Sequence, residues 1–91
     1  MKFEWDENKA KSNVVKHGIT FLEAVTIFAD PYLLFTEDSR HSQQEEREWA
    51  IGETEKGSLI VAVFTIRDEK IRIISARKAT KSERNQYEQG I

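Results

Sequence analysis

Residues 47–77 read REWAIGETEKGSLIVAVFTIRDEKIRIISAR, and the fold is decided there. Three β-favouring runs, at about Arg47–Thr54, Ser58–Arg67 and Lys70–Arg77, are separated by Lys56-Gly57 and Asp68-Glu69. Those connections are short enough for hairpins, so the runs predict an antiparallel meander. The middle run is apolar on both faces, as a central strand should be. A two-residue turn at Asp68-Glu69 pairs Ile66 with Ile71, Thr65 with Arg72 and Phe64 with Ile73. A second such turn at Lys56-Gly57 sets Trp49 against Phe64 and Ile51 against Ala62. These registers put Trp49, Ile51, Phe64, Ile66, Ile71 and Ile73 on a face expected to pack on helices. Ala50, Gly52, Thr54, Thr65 and Arg72 then share the other face with Val61, Val63 and Ile74, where small residues suit a shallow, ligand-accessible groove. A slip of one residue would exchange the faces.

Upstream, Lys2-Phe3-Glu4-Trp5 alternates polar and apolar and reads as a short strand. Asp6 suits the N-cap of a helix running to about His17, closed by Gly18 in the left-handed region. The only firm apolar positions of that helix are Ala10, Val14 and Val15, while Lys9, Asn13 and Lys16 form a polar stripe. It is expected to be shallowly anchored and to offer a polar face. Thr20-Phe21-Leu22-Glu23 has capping-box spacing, and Phe21, Ala24, Val25 and Phe28 behind it form a core-facing stripe ended by Asp30-Pro31. Tyr32 to Thr36 is β-favouring, and residues 37–44 read as an exposed loop. Thr80-Lys81-Ser82-Glu83 repeats the capping-box spacing and starts a C-terminal helix holding Arg84 and Tyr87. No repeat or linker divides the chain. The reading is α+β: one small domain over residues 1–91, with a short strand and two helices packed on the meander and a C-terminal helix.

Composition narrows the chemistry. The absence of cysteine excludes disulfides, thiolate metal sites and a Cys nucleophile. The longest apolar run, Leu59 to Phe64, is too short to cross a bilayer. Residues 1–20 carry Glu4, Asp6, Glu7, Lys9 and Lys11 where a signal peptide would need an apolar stretch, so a cytoplasmic protein is expected. The net charge of −2 argues against general nucleic-acid binding, but it averages two unlike segments. Residues 37–55 are acidic, whereas residues 67–84 hold Arg67, Lys70, Arg72, Arg77, Lys78, Lys81 and Arg84 against Asp68, Glu69 and Glu83.

No metal constellation is visible: His17 and His41 are 24 positions apart with no carboxylate spaced to join them. Neither a glycine-rich phosphate loop nor a nucleophile elbow is present, and no cofactor is implied. What remains is a set of cations with one late tyrosine. That inventory fits RNA cleavage without metal, in which the 2′-hydroxyl attacks the adjacent phosphate. The reaction needs a proton acceptor, a proton donor for the leaving 5′-oxygen and cations around the phosphorane charge. Arginine suits the last role because its planar guanidinium can contact two phosphate oxygens. Imidazole suits proton transfer because it ordinarily changes charge near neutral pH. The plain alternatives are a His17 that complements the helix dipole, solvated Lys9 and Lys16, surface ion pairs for Arg77, Lys78 and Arg84, and a core-edge Tyr87. Arg72, inside a strand, is the least easily explained by structure alone.

Phe3-Glu4-Trp5-Asp6-x-x-Lys9-x-x-x-Asn13-x-x-Lys16-His17-Gly18-Ile19-x-Phe21-x-x-Ala24, followed by Phe28-x-Asp30-Pro31, resembles the opening of the BrnT toxins. Arg72-Ile73-Ile74-Ser75-Ala76-Arg77-Lys78-Ala79-Thr80, then Glu83-Arg84 and Tyr87-Glu88, is similar to the C-terminal signature of that family. The resemblance implies a fold related to RelE-type ribonucleases, cleavage of RNA and growth arrest. It also implies neutralisation by a BrnA-type ribbon-helix-helix antitoxin in a 2:2 heterotetramer that reaches operator DNA only through the antitoxin. The catalytic positions it suggests are Lys9, His17, Arg67, Arg72 and Arg77. Lys16, Lys78, Arg84 and Tyr87 are expected to bind RNA. The competing expectation is a non-catalytic module that docks an antitoxin-like partner and acts as co-repressor.

Overall fold

The computed structural model describes residues 2–36 and 47–90; the expected loop at 37–44, with His41, lies outside them. The chain runs β1 (Lys2–Trp5), α1 (Glu7–His17), α2 (Phe21–Val25), a 3-10 turn (Thr26–Ala29), β2 (Leu34–Thr36), β3 (Glu48–Glu53), β4 (Leu59–Arg67), β5 (Lys70–Lys78) and α3 (Lys81–Gln89). The strands form one sheet in the order β1-β5-β4-β3-β2. The meander β3-β4-β5 is antiparallel as expected and is extended by β2, but β1 joins the edge parallel to β5, so the sheet is mixed.

The helix termini follow from local chemistry. Asp6 accepts a hydrogen bond from the Lys9 amide at 3.0 Å, and Gly18, at φ 70°, sends its N–H to the Val14 carbonyl. Thr20 caps α2 by accepting from the Glu23 amide. The reciprocal half of that expected box is not made, because Glu23 Oε2 instead accepts from the Thr54 hydroxyl at 3.0 Å, pinning α2 to the end of β3. At α3 the box is complete: Glu83 N–H donates to Thr80 Oγ1, and Thr80 N–H donates to Glu83 Oε1.

The two hairpins differ in how well the sequence foretells them. Asp68 and Glu69 both lie at positive φ, 50° and 64°, as a two-residue turn matched to strand twist requires. The pairs Ile66–Ile71, Thr65–Arg72 and Phe64–Ile73 follow. Between β3 and β4, however, Thr54 N–H donates to the Ser58 carbonyl and Gly57 N–H to the Thr54 carbonyl, with Gly57 at φ 83°. The loop is therefore Glu55-Lys56-Gly57, one residue longer than expected. Trp49 pairs with Val63 and Ile51 with Val61, in place of Phe64 and Ala62. The slip exchanges the faces of β3, so Ala50 and Gly52 turn toward α1 and α2 while Trp49 and Ile51 turn away. In β5, Ile73 pairs with Phe64 and Ser75 with Val63, so Ile74 is an extra bulged residue.

Two apolar clusters result. On the helix face, Phe21, Ala24 and Ile27 pack on Ala50, Ile60, Ala62, Phe64, Ile71, Ile73 and Ala76. On the opposite face, Tyr87 from α3 packs on Ile51, Leu59 and Val61, with Trp49 at the margin. Gly52 is needed where β3 meets the 3-10 turn: a Cβ there would lie 2.8 Å from Leu33 Cδ1 and 2.9 Å from Ile27 Cβ.

Helix α1 is anchored by a group expected in its solvent-facing stripe. Asn13 is 5% exposed. Its Nδ2 donates to the carbonyls of Ala76 at 2.8 Å and Ile19 at 2.9 Å, while its Oδ1 accepts from the Ala76 amide at 3.1 Å. The β1 ladder stops at Trp5–Ile73, so the Asn13 carboxamide takes over where that strand has run out and satisfies the bare edge of β5. Replacing Asn13 by Ala leaves those buried groups unpaired, for an expected loss of about 1–3 kcal/mol in urea unfolding. Gly52→Ala is expected to cost about as much through overpacking. A wild-type urea midpoint for Gly52→Ala would contradict the close approach of β3 to the turn.

Candidate active site

Strand alternation decides which cations can act together. Val61, Val63, Thr65 and Arg67 on β4 point away from α1 and α2, as do their β5 partners Arg77, Ser75, Arg72 and Lys70. Arg67, Arg72 and Arg77 therefore share one face of the sheet, with Lys70. Trp49 stands on the same face, and the Arg77 guanidinium carbon lies 5.5 Å from its ring centroid, a cation–π contact.

Carboxylates hold Arg72 and Arg77. Glu4, the β1 partner of Arg72, accepts from Arg72 Nη1 at 3.1 Å and lies 3.8 Å from Lys70 Nζ. Glu83 grips Arg77 by both ends: Nη1 donates to Oε1 at 2.7 Å and Nη2 to Oε2 at 2.8 Å. That fork holds the Glu83 carboxyl down at about 2, with help from the Thr80 amide and against burial, and raises Arg77 further above its ordinary value.

The remaining expected residues are distributed elsewhere. Lys9 and His17 are exposed on α1, in the layer packed on the opposite face of the sheet. Lys9 nevertheless stands near the β1 edge. The Asp6 carboxyl is held below its ordinary range chiefly by the Lys9 amide, against some desolvation, and also by the charges of both Lys9 and Arg72. His17 is two turns further on, about 12 Å along the helix axis. Lys16, Lys78 and Arg84 are exposed. Tyr87, expected to face RNA, is instead 6% exposed, and its hydroxyl donates to Asp30 Oδ2 at 2.6 Å. Burial first, then the Asp30 carboxylate, push the Tyr87 phenol well above its ordinary value. Asp30 is itself lowered: burial opposes, but the Tyr87 hydroxyl and the Glu53 and Tyr32 amides outweigh it. Tyr87 thus fastens α3 to the end of β3.

Sequence reasoning missed Glu4 and Trp49, and it placed Thr65 opposite Arg72 without giving it a role. The signal for Glu4 was its alternation in β1, but a parallel pairing with β5 across most of the chain cannot be read from either segment alone. Trp49 was assigned to the wrong face by the hairpin slip.

A concavity of about 1060 Å³ lies elsewhere, with Phe3, Phe28 and Phe35 beside Asp30, Glu53 and Glu55. No Lys or Arg lines it, so its charge repels phosphate, and the arginine face is the better candidate for an anionic substrate. Among the described residues no group of three or more His, Asp or Glu is placed to hold a metal ion, and no helix is long and apolar enough to cross a membrane.

Comparison with solved structures places this fold among small ribonuclease toxins. The 1.1 Å crystal structure of the Brucella abortus ribonuclease toxin BrnT superposes with a TM-score of 0.68 at 27% identity, covering 89% of this chain and 99% of that one. The family model for the ribonuclease toxin BrnT of type II toxin-antitoxin systems matches residues 5–83, and the chain belongs to that family. Comparison with curated protein sequences gave no match.

The Glu83–Arg77 fork predicts an acid-side signature. The folded chain binds the Glu83 proton less readily than the unfolded chain, so the stabilisation is complete above the ordinary carboxyl value of 4.5 and is lost as pH falls from there toward about 2. Thermal unfolding followed across that window should show a shallower decline in Glu83→Gln than in the wild type. Parallel curves would mean the fork contributes nothing.

Proposed function

We propose that this chain is a metal-independent endoribonuclease, the toxin half of a type II pair, acting in the cytoplasm and arresting growth when unopposed. Family membership carries the reading, and the placement of Arg67, Arg72 and Arg77 on one sheet face supports it. Arg67 and Arg72 hold the scissile phosphate and offset the phosphorane charge, with Arg77 further along the same face. Arg72 is the principal contact, since a single 3.1 Å bond to Glu4 holds it. Arg77 acts from its fork with Glu83 at longer range. Lys9, near the Arg72 edge, or His17 moves the protons. Lys16, Lys78 and Arg84 contact the RNA backbone. The partner is a BrnA-type ribbon-helix-helix antitoxin in a 2:2 assembly, through which alone the complex reaches operator DNA.

A second reading, a non-catalytic module that docks the antitoxin and acts as co-repressor, draws support from the carboxylates on Arg72 and Arg77 and from the sheet standing between His17 and the arginines. Incubating purified protein with RNA and EDTA separates the two. The nuclease reading expects fragments ending in a cyclic or 3′-phosphate, and a loss of about 100-fold in Arg72→Ala with folding retained. Intact RNA, together with no growth arrest on induction, would leave the docking reading.

A further inference from the structure

A buried hydroxyl without a partner lies at the centre of the arginine face. Thr65 is 5% exposed, and its Oγ1, fully buried, makes no hydrogen bond among the described residues. Such a group costs free energy where it stands, because burial has removed its water and nothing has replaced it. A β-branched residue suits the middle of a central strand, but Val would supply the same shape without the orphaned oxygen. Valine occupies both preceding positions on this face, Val61 and Val63.

The surroundings of Thr65 indicate what the hydroxyl is for. Arg72 lies directly opposite it on β5, and Arg67 is the next residue on the same face of β4. Lys70 and Glu4 flank Arg72. An anion drawn between the guanidinium groups of Arg67 and Arg72 would arrive over Thr65. A hydroxyl is both donor and acceptor, so it can give its proton to an anionic oxygen without adding charge to a crowded cationic patch.

We propose that Thr65 is a substrate-binding residue whose hydroxyl donates a hydrogen bond to a non-bridging oxygen of the RNA phosphate held by Arg67 and Arg72. This rests on the ribonuclease reading and deepens it. Arg72 exchanges Glu4 for the phosphate as RNA binds, the hydroxyl pairs with the same phosphate, and the unpaired state belongs to the free protein. The cost carried by the free fold is recovered in the complex, where a hydrogen bond to a charged group is stronger than one between neutral partners.

The test compares Thr65→Val and Thr65→Ser with the wild type in three measurements: urea unfolding, cleavage of a short RNA, and binding of the same oligonucleotide made uncleavable by 2′-deoxy substitution throughout. Thr65→Val should be as stable as the wild type or more so, yet bind and cleave about 10- to 100-fold less well, the loss expected for one hydrogen bond to a charged group. Thr65→Ser, which keeps the hydroxyl, should recover most of both. Wild-type binding and cleavage in Thr65→Val would overturn the assignment while leaving the nuclease reading intact. A destabilised Thr65→Val would overturn it too, since the hydroxyl would then be serving the fold. If the wild type neither binds nor cleaves RNA, the nuclease reading falls and this inference falls with it.

Discussion

Much of the structure depends on one carboxamide. The first strand is only four residues long, so the outer edge of β5 is paired as far as Ile73 and bare beyond it. Asn13 supplies what a longer strand would have supplied, a donor and an acceptor at the spacing of a peptide group, and it supplies them from a helix. Its third hydrogen bond, to Ile19, fixes the chain just past Gly18, where it turns into α2. One side chain therefore sets the height of α1 on the sheet, the exit from α1 and the entry to α2. The helix itself is weakly amphipathic, and Val15 is 87% exposed. Its apolar burial alone is a poor anchor, which is why a polar one matters.

With α1 and α2 fixed on one face, the other is free for chemistry. Helix α3 covers only one end of it, held by Tyr87 to Asp30 and by Glu83 to Arg77. The far end, around Thr65, Arg67 and Arg72, carries no helix among the described residues. A sheet apolar on both sides can thus bury a core on one side and display cations on the other. The price is that Lys9 and His17 stand in the opposite layer, and a reaction needing both sets of groups has to run around the β1 edge, where the charges of Lys9 and Arg72 both act on Asp6.

The strands and helix caps were legible because each depends on residues close in sequence. Capping needs three or four consecutive positions, and the Asp68-Glu69 hairpin two. The register of β3 was not legible, because Thr54 and Ser58 close the turn one step earlier than Lys56-Gly57 alone suggests, and a shift of one residue reverses every side chain. Asn13 was read as surface, since nothing near it in sequence announces that β5, sixty-three residues on, lacks a partner there. The arginines were visible as a basic segment. The hairpin register set Thr65 opposite Arg72, but that Glu4 joins this face and that the Thr65 hydroxyl is left unpaired depend on tertiary packing, which local pattern does not encode.

The arginines of this face are unequal, and the difference follows from geometry. Arg77 gives both terminal nitrogens to one carboxylate, sends a further bond from Nη1 to the Lys78 carbonyl at 3.3 Å and lies against an indole ring. A phosphate that recruited it would have to break the fork, leave the carboxylate of Glu83 half-buried without its partner and loosen the start of α3, because Glu83 also caps that helix. Arg72 has one contact, to a carboxylate that still retains Lys70 nearby. Exchanging Glu4 for phosphate at Arg72 strands no charge and unties no helix. The stiff end of the face is thus suited to holding shape, and the loosely paired end to receiving an anion.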